Sequence, residues 1–322
     1  MRVTVPSLAK LNLDLRVLHK RPDGFHELRT VFQTISLKDS LSIEFEIAKR
    51  TQIDLNSSID IADNLVVRSA KTVLEYLRVH AWVRFVLRKR IPMGAGLGGG
   101  SSNAAAVLAA LPALAGKRVP TPELVRLAES LGSDVPFFLY GGTAVGLGRG
   151  TEIYPLPDQP PQAVVVVATG IHVSTPDAYR ALRRSPQAVL STVTTSLTSP
   201  VESPILREFQ TIAWGLAQAN SAGSNLDQLP FKNDFEAAVF KIHPELPAAA
   251  RRLRRWGAEP ALMTGSGSAI FGIFRSAIEA RAAAARFPVG TAFPVRFVPR
   301  RQYRKLWRRA LGPAAQASCF AE

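Results

Sequence analysis

Apolar residues recur along this chain with two periods, and the switches between them mark out its elements. Residues 2–15 alternate in the manner of a strand, with Lys10 near the middle. Residues 31–45 repeat that character through Phe32, Ile35, Leu41, Ile43 and Phe45, with Lys38-Asp39 reading as a turn inside the stretch. Leu65, Val66, Ala70, Val73, Leu74 and Leu77 then fall on one helical face, and Asp63 or Asn64 is placed to cap it. Residues 82–87 alternate again, and the alanine-rich stretch 101–111 reads as a helix. Thr121-Pro122-Glu123 opens another, with Leu124, Leu127, Ala128 and Leu131 on one side and Gly132 as its stop. Residues 135–139 and 141–147 return to buried, extended character.

A run of prolines between residues 154 and 161 breaks the pattern and predicts a linker. Beyond it, residues 163–168 read as a fully buried strand. Helical spacing covers residues 204–218, 235–240, 247–256 and 277–285, and strands are expected at 261–263, 269–274 and 291–297. The Ser-, Thr- and Pro-rich stretch 185–203 predicts a surface loop or a partly ordered insertion. This mixed order, with no internal repeat, predicts an α+β chain of two domains, residues 1–155 and 162–298, followed by a basic tail at 299–322.

Composition narrows the class. With 322 residues, 47% of them apolar, the chain can bury sizeable cores. Its single cysteine, Cys319, excludes a disulfide framework within the chain and, with no signal-like segment and no apolar run of about 18 residues, predicts a cytoplasmic protein. The net charge of +15 is concentrated in arginines at 251–255 and 296–309, which suits the capture of small polyanions. For the tail, a solvated basic helix is the simpler reading. Tyr303 and Trp307, interleaved with its arginines, leave a nucleic-acid or membrane-surface contact open.

The most telling segment is Pro92-Met93-Gly94-Ala95-Gly96-Leu97-Gly98-Gly99-Gly100-Ser101-Ser102, with five glycines ahead of a helix. Glycine lets the backbone turn its N–H groups inward around an anion, and the start of the following helix adds unpaired N–H groups and a positive dipole end. The segment is therefore a phosphate loop. It is not a dinucleotide fingerprint, because Arg88-Lys89-Arg90-Ile91-Pro92 separates it from the preceding strand and no acid-tipped strand follows the helix about 20 residues on. Nor is it a Walker A loop, which needs a lysine after its last glycine.

This loop resembles the ATP loop of the GHMP small-molecule kinases. Pro6-Ser7-Leu8-Ala9-Lys10-Leu11-Asn12-Leu13 with Arg21-Pro22-Asp23-Gly24-Phe25-His26-Glu27-Leu28, then Leu131-Gly132-Ser133-Asp134-Val135-Pro136, then Thr264-Gly265-Ser266-Gly267-Ser268 carry the same resemblance in the family's order. The resemblance implies an N-terminal ATP-binding domain, a C-terminal ferredoxin-like α/β-plait domain and an active site in the cleft between them. It also implies ATP and Mg2+ as cofactors. The string Gly96-Leu97-Gly98-Gly99-Gly100-Ser101-Ser102-Asn103-Ala104-Ala105 narrows it to kinases whose small-molecule substrate is diphosphocytidyl methylerythritol, in the non-mevalonate route to isoprenoid precursors. A homoserine- or mevalonate-type kinase is the alternative, and a nucleic-acid-binding protein on the same scaffold is the third reading. The first two call for no nucleic-acid and no membrane partner. Oligomeric state and metal ligands are not legible.

Phosphoryl transfer asks for alignment and charge neutralisation rather than covalent help. Lys10, in an apolar strand, needs a partner if buried; the resemblance makes Lys10 and Asp134 the catalytic pair. By itself Asp134 fits a turn or an N-cap equally well. The resemblance gives Asn64, Leu65 and Lys89, along with the glycine loop 92–102, to the nucleotide, and leaves Ser101 or Ser102 as candidates near the metal. It gives Asn12, Phe25, His26, Thr175, Tyr179, Gly265, Ser266 and Gly267 to the substrate, with Phe25, His26 and Tyr179 recognising and sandwiching the base.

Overall fold

The computed structural model describes residues 1–182, 204–218 and 226–320, so the expected loop at 185–203 lies outside the described residues. Two long strands form its spine. β1 (Arg2–Lys20) and β2 (His26–Ile47) pair antiparallel along their length. Lys38-Asp39 is not a turn, because β2 runs straight through it. Asp39 is instead fully buried, and its carboxylate accepts the backbone N–H groups of Arg90 (2.7 Å) and Ile91 (2.9 Å) and the Lys89 ammonium. A polar pair that reads as a surface turn is here a buried acid satisfied by distant donors.

β3 (Gln52–Ser57), β4 (Ala81–Arg88), β5 (Thr143–Leu147) and β6 (Glu152–Pro155) complete the first sheet, in the order β3-β4-β2-β5-β6 with β1 on β2. α1 (Leu65–Leu77), α2 (Gly99–Leu114) and α3 (Thr121–Leu131) pack with it. Every residue of α2 from Ser102 to Leu114 is buried, so the alanine-rich sequence is that of a helix enclosed on all sides. Residues 137–140, expected to be extended, form the short helix α4 (Phe137–Tyr140). Pro136 begins that turn, and the Gly141 N–H closes it on the Phe137 carbonyl at 2.9 Å.

The second sheet is fully antiparallel. β7 (Ala163–Val167), β8 (Ala261–Met263), β9 (Ile270–Phe274) and β10 (Ala292–Arg296) lie in the order β10-β7-β9-β8, the ferredoxin-like arrangement. The unbroken valines of β7 follow from burial on both faces. Val165 and Val167 face α7 (Glu236–Ile242), α8 (Leu246–Arg255) and α9 (Ala277–Ala284), whereas Val164 and Val166 face α6 (Pro204–Gln218) together with β1 and β2. Leu11, Leu13, Val31 and Ile35 of the first hairpin lie in that second core. The first sheet is thus built from residues 2–155 and the second from residues 163–296, while the β1–β2 hairpin ties them together.

The tail departs from its expected solvated form. α10 (Arg300–Leu311) buries Tyr303, Trp307 and Leu311 in the first domain's core, and Phe320 returns to stack on Trp307 with ring centres 4.8 Å apart. Tyr303 donates its hydroxyl to the Phe138 carbonyl at 2.6 Å, and Asp158 accepts from the N–H groups of Arg300 (2.6 Å) and Arg301 (3.1 Å) at the helix start. Arg301, Lys305, Arg308 and Arg309 occupy the exposed face. Arginines three and four apart with aromatics between them are thus an amphipathic helix seen edge-on, not an aromatic-basic binding surface. Trp307→Ala is expected to destabilise the chain by about 3–5 kcal/mol; Arg308→Ala should stay within about 0.5 kcal/mol. Urea or thermal unfolding of both variants checks the contrast.

Candidate active site

The glycine loop lies between β4 and α2, and Gly94, Gly96 and Gly98 adopt positive φ angles of 62°, 75° and 69°. Two of these are dictated by close approach. A Cβ on Gly96 would sit 2.2 Å from the Thr264 carbonyl oxygen, and one on Gly98 would meet Phe138 at 2.9 Å and the Lys10 stem at 3.0 Å. Gly98 also stands at the N-cap of α2, where no side chain caps the first turn. The N–H groups and dipole end of that turn are left for an anion.

Three segments meet behind the loop. The Lys10 N–H donates to the Leu97 carbonyl (3.0 Å), the Asn12 N–H to Thr264 Oγ1 (2.9 Å), and the Ala269 N–H to the Ala95 carbonyl (3.2 Å). Asn233, which sequence reasoning passed over, holds the 264–267 turn by donating to the carbonyls of Met263 (2.8 Å) and Gly265 (2.9 Å).

This junction buries Lys10 to 2% exposure. Its ammonium lies 3.2 Å from Asp134 Oδ2, donates to Asn12 Oδ1 at 2.5 Å, and sits 5.5 Å from the centre of the Phe32 ring. Asn12 in turn donates from Nδ2 to Thr30 Oγ1 at 2.7 Å, which fixes its oxygen toward the lysine. The two residues pair across the site although 124 positions separate them by number, 134 less 10. Asp134, on the segment between α3 and α4, keeps about a third of its side chain exposed toward the cavity.

At the far end, the tip of the β1–β2 hairpin carries Phe25 and His26. His26 stacks on Tyr179 of α5 (Thr175–Leu182), with centres 4.6 Å apart and planes 22° from parallel; Tyr179 meets Phe235 edge-on at 4.8 Å. Burial pushes the Tyr179 phenol up to about 12, helped by the nearby Asp134 charge, so it remains a neutral donor. Burial first, and then the charges of Lys20 and His19, hold the His26 imidazole below its usual range. Phe25 does not face Tyr179. It is half exposed, and the Arg149 guanidinium lies 3.4 Å from its ring centre.

Lys10, Asn12, Phe25, His26, Gly94, Gly96, Gly98, Ser101, Asp134, Thr175, Tyr179, Gly265, Ser266 and Gly267 line one cavity of about 940 Å³. Thr175 and Ser266 share a hydrogen bond of 2.9 Å across it. The other residues assigned to the nucleotide are not on its wall. Ala95 and Leu97 are buried in the second core, Gly99 packs on Ile91, Leu65 lies against Gly100, Ser102 is enclosed in α2, and Pro92 and Met93 stand outside. Asn64 caps α1 by accepting from the Val66 N–H at 3.0 Å, and its Nδ2 has no partner. Lys89 is not free for a nucleotide: it is buried and held by Asp39 and by Asn103 Oδ1 at 3.2 Å, beneath the first turn of α2. Arg149, His172, Ser133 and Lys20 also line the cavity. Ser133 adjoins Asp134 in a motif already singled out, and glycines flank Arg149; nothing in the sequence pointed to His172 or Lys20.

A glycine loop and an uncapped helix start facing a buried lysine paired with a partly exposed aspartate, in a cleft between these two sheets, define a small-molecule kinase of the GHMP class. Residues 64–142 match the GHMP kinases N terminal domain and residues 210–288 the GHMP kinases C terminal family. A 4-diphosphocytidyl-2-C-methyl-D-erythritol kinase of Solibacter usitatus is 52% identical over 98% of this chain and 94% of its own length. A crystal structure of 4-(cytidine 5'-diphospho)-2C-methyl-D-erythritol kinase superposes with a TM-score of 0.72 at 36% identity, covering 91% of this chain and 98% of that one. The homoserine kinase of Cytophaga hutchinsonii shares the fold, with a TM-score of 0.66 at 18% identity over 92% of this chain and 95% of its own. The chain belongs to the GHMP kinase family and uses ATP. Within that family it is a member of the 4-diphosphocytidyl-2-C-methyl-D-erythritol kinases of the non-mevalonate isoprenoid pathway.

Gly96→Ala tests the junction. The methyl group would collide with the Thr264 carbonyl at a φ that disfavours any side chain, so stability should fall by about 1–3 kcal/mol. ATP should also no longer raise the melting temperature, as thermal unfolding with and without nucleotide would report.

Proposed function

We propose that this chain transfers the γ-phosphoryl group of ATP to the 2-hydroxyl of 4-diphosphocytidyl-2-C-methyl-D-erythritol, with Lys10 and Asp134 as its catalytic residues. The observation that carries this reading is the 3.2 Å contact between a buried ammonium and a partly exposed carboxylate beside an uncapped helix start. Asp134 orients the acceptor hydroxyl and takes its proton as the new P–O bond forms. Lys10 holds that carboxylate in place through their 3.2 Å contact and offsets negative charge on the transferred group. The first turn of α2 and the 265–267 turn supply N–H groups to the phosphates.

Mg2+ fits the site as a metal held mainly by nucleotide oxygens. Ser101 lines the cavity, the buried Ser102 Oγ has no partner, and no cluster of metal-binding side chains occurs among the described residues. When bound, it would offset the negative charge of the nucleotide phosphates, with Ser101 the cavity-lining side chain placed to help hold it.

The aromatic end of the cavity favours an acceptor alcohol that carries a planar base over homoserine or mevalonate. A neutral imidazole offers one donor and one acceptor, which matches the edge of cytosine; imidazolium offers donors only. Tyr303 and Trp307 are interior, which removes the aromatic part of a nucleic-acid reading of the tail. No helix among the described residues is long and apolar enough to cross a membrane, and a cytoplasmic location with no nucleic-acid or membrane partner accords with a diffusible substrate.

ATP-dependent phosphorylation of the diphosphocytidyl alcohol is the direct test, with CDP and free methylerythritol as controls that should not be turned over. Lys10→Ala and Asp134→Asn should each lower kcat roughly 10²- to 10⁴-fold while ATP still protects the protein thermally. Near-normal turnover in either variant removes that residue from the chemistry. Because the His26 pKa is lowered, the KM for the diphosphocytidyl substrate should be flat at neutral pH and rise only as pH drops below the ordinary imidazole range. A pH profile of His26→Asn, which keeps one donor and one acceptor, should lack that acid limb.

A further inference from the structure

Arg149 sits in the turn joining β5 and β6, between Gly148 and Gly150, and its side chain lines the cavity. The turn backbone is anchored, since Leu28 donates its N–H to the Gly148 carbonyl (2.8 Å) and Gly150 to that of Leu147 (2.9 Å). The side chain is not. Its guanidinium rests on the Phe25 ring, and its Nε is buried without a hydrogen-bond partner. Asp23 is near enough to feel the charge, yet that carboxylate bonds Arg21 (3.1 Å) and the Phe25 N–H (3.1 Å) instead. A guanidinium lying on a ring face leaves its in-plane N–H fork unused, and a buried N–H with no acceptor is costly.

The same geometry says what would engage it. Phe25 is one of the rings that the proposed function gives to the pyrimidine, and a base and a guanidinium cannot share one face of it. In that substrate the diphosphate is joined directly to the nucleoside. The anion therefore arrives beside the cation that its base displaces, and two phosphates match the planar donor fork. Lys20 lines the same end of the cavity. The ATP phosphates belong to the other end, where the glycine loop and the start of α2 face Lys10.

We propose that Arg149 is a binding residue for the diphosphate of the nucleotidyl substrate, resting on Phe25 in the ligand-free chain and exchanging the ring for the anion when the pyrimidine stacks there. This rests on the function proposed above.

Calorimetric binding of CDP and of cytidine to the full chain, with Arg149→Gln and Arg149→Lys, separates the steps. The native chain should prefer CDP over cytidine. Arg149→Gln should weaken CDP roughly 10- to 100-fold while cytidine binds as well as before or better, because the ring face has been vacated. Arg149→Lys, which keeps the charge without the fork, should lie between and covers the case of a Gln variant that does not fold. In kinetics, the KM for the diphosphocytidyl substrate should rise and the KM for ATP should not. Unchanged CDP affinity in both variants, or a rise confined to the ATP KM, overturns the assignment of Arg149 and leaves the proposed function standing. A native chain that binds neither ligand and phosphorylates no diphosphocytidyl alcohol overturns both.

Discussion

The buried ammonium of Lys10 is the constraint around which the rest of this molecule is arranged. Removing a lysine head group from water costs several kcal/mol unless charge and hydrogen bonds replace the lost hydration. Here the replacements come from three places. Asn12 supplies an oxygen from the same strand, two residues on; Asp134 supplies the counter-charge from the far side of the first domain; and the Phe32 ring covers what remains. The lysine stem meanwhile packs so close to Gly98 that the residue there can have no side chain. The position of the uncapped helix start and the position of the Asp134 carboxylate are thus both referred to one nitrogen atom.

That reference is possible because the β1–β2 hairpin belongs to both cores. Val5 and Leu8 pack in the first, Leu11 and Leu13 in the second, and Leu15 and Val17 in the third cluster beneath α7 and α8. A single strand threading all three cannot slide, since a one-residue slip would put the buried polar side chains of Lys10, Asn12, Asp14 and Arg16 where Leu11, Leu13, Leu15 and Val17 now pack. The cleft follows from this. Residues 10 and 12 emerge where the first sheet gives way to the second, between the glycine loop and the 264–267 turn, and the hairpin tip carries Phe25 and His26 out to the end of the same cavity.

Much of this was legible because the signals are local. Glycines at 94, 96 and 98 mark the loop, and the family resemblance carried by the ordered motifs implies the fold and the pairing of Lys10 with Asp134, which lie 3.2 Å apart. What was missed depended on long-range partners. Lys38-Asp39 looks like a turn until Arg90 and Ile91 are seen to donate to the carboxylate. Lys89 has the charge expected of a nucleotide ligand, but Asp39 and Asn103 claim it first. Tyr303 and Trp307 sit among arginines whose charge hides the fact that their own helix face is interior. Phe25 and Tyr179 are both present, as expected, although each is covered by a different neighbour, which no spacing along the sequence records.

The two ends of the cavity are held by different kinds of interaction, and the difference bears on what such a fold can be adapted to do. At the phosphate end, the positions of Lys10, Asn12, Ala95, Leu97 and Thr264 are set by hydrogen bonds that involve the backbone, and a methyl group added at Gly96 has nowhere to go. Such an end is preorganised and tolerates little change. At the base end, Phe25, His26, Tyr179 and Arg149 meet only through their side chains, as stacked rings and a cation on a ring face. Stacks of this kind re-form around a different planar group at small cost, or can be replaced outright without disturbing the backbone. A fold that holds its glycine loop by backbone hydrogen bonds and the other end of its cavity by side-chain contacts can be altered at that end while the loop stays as it is.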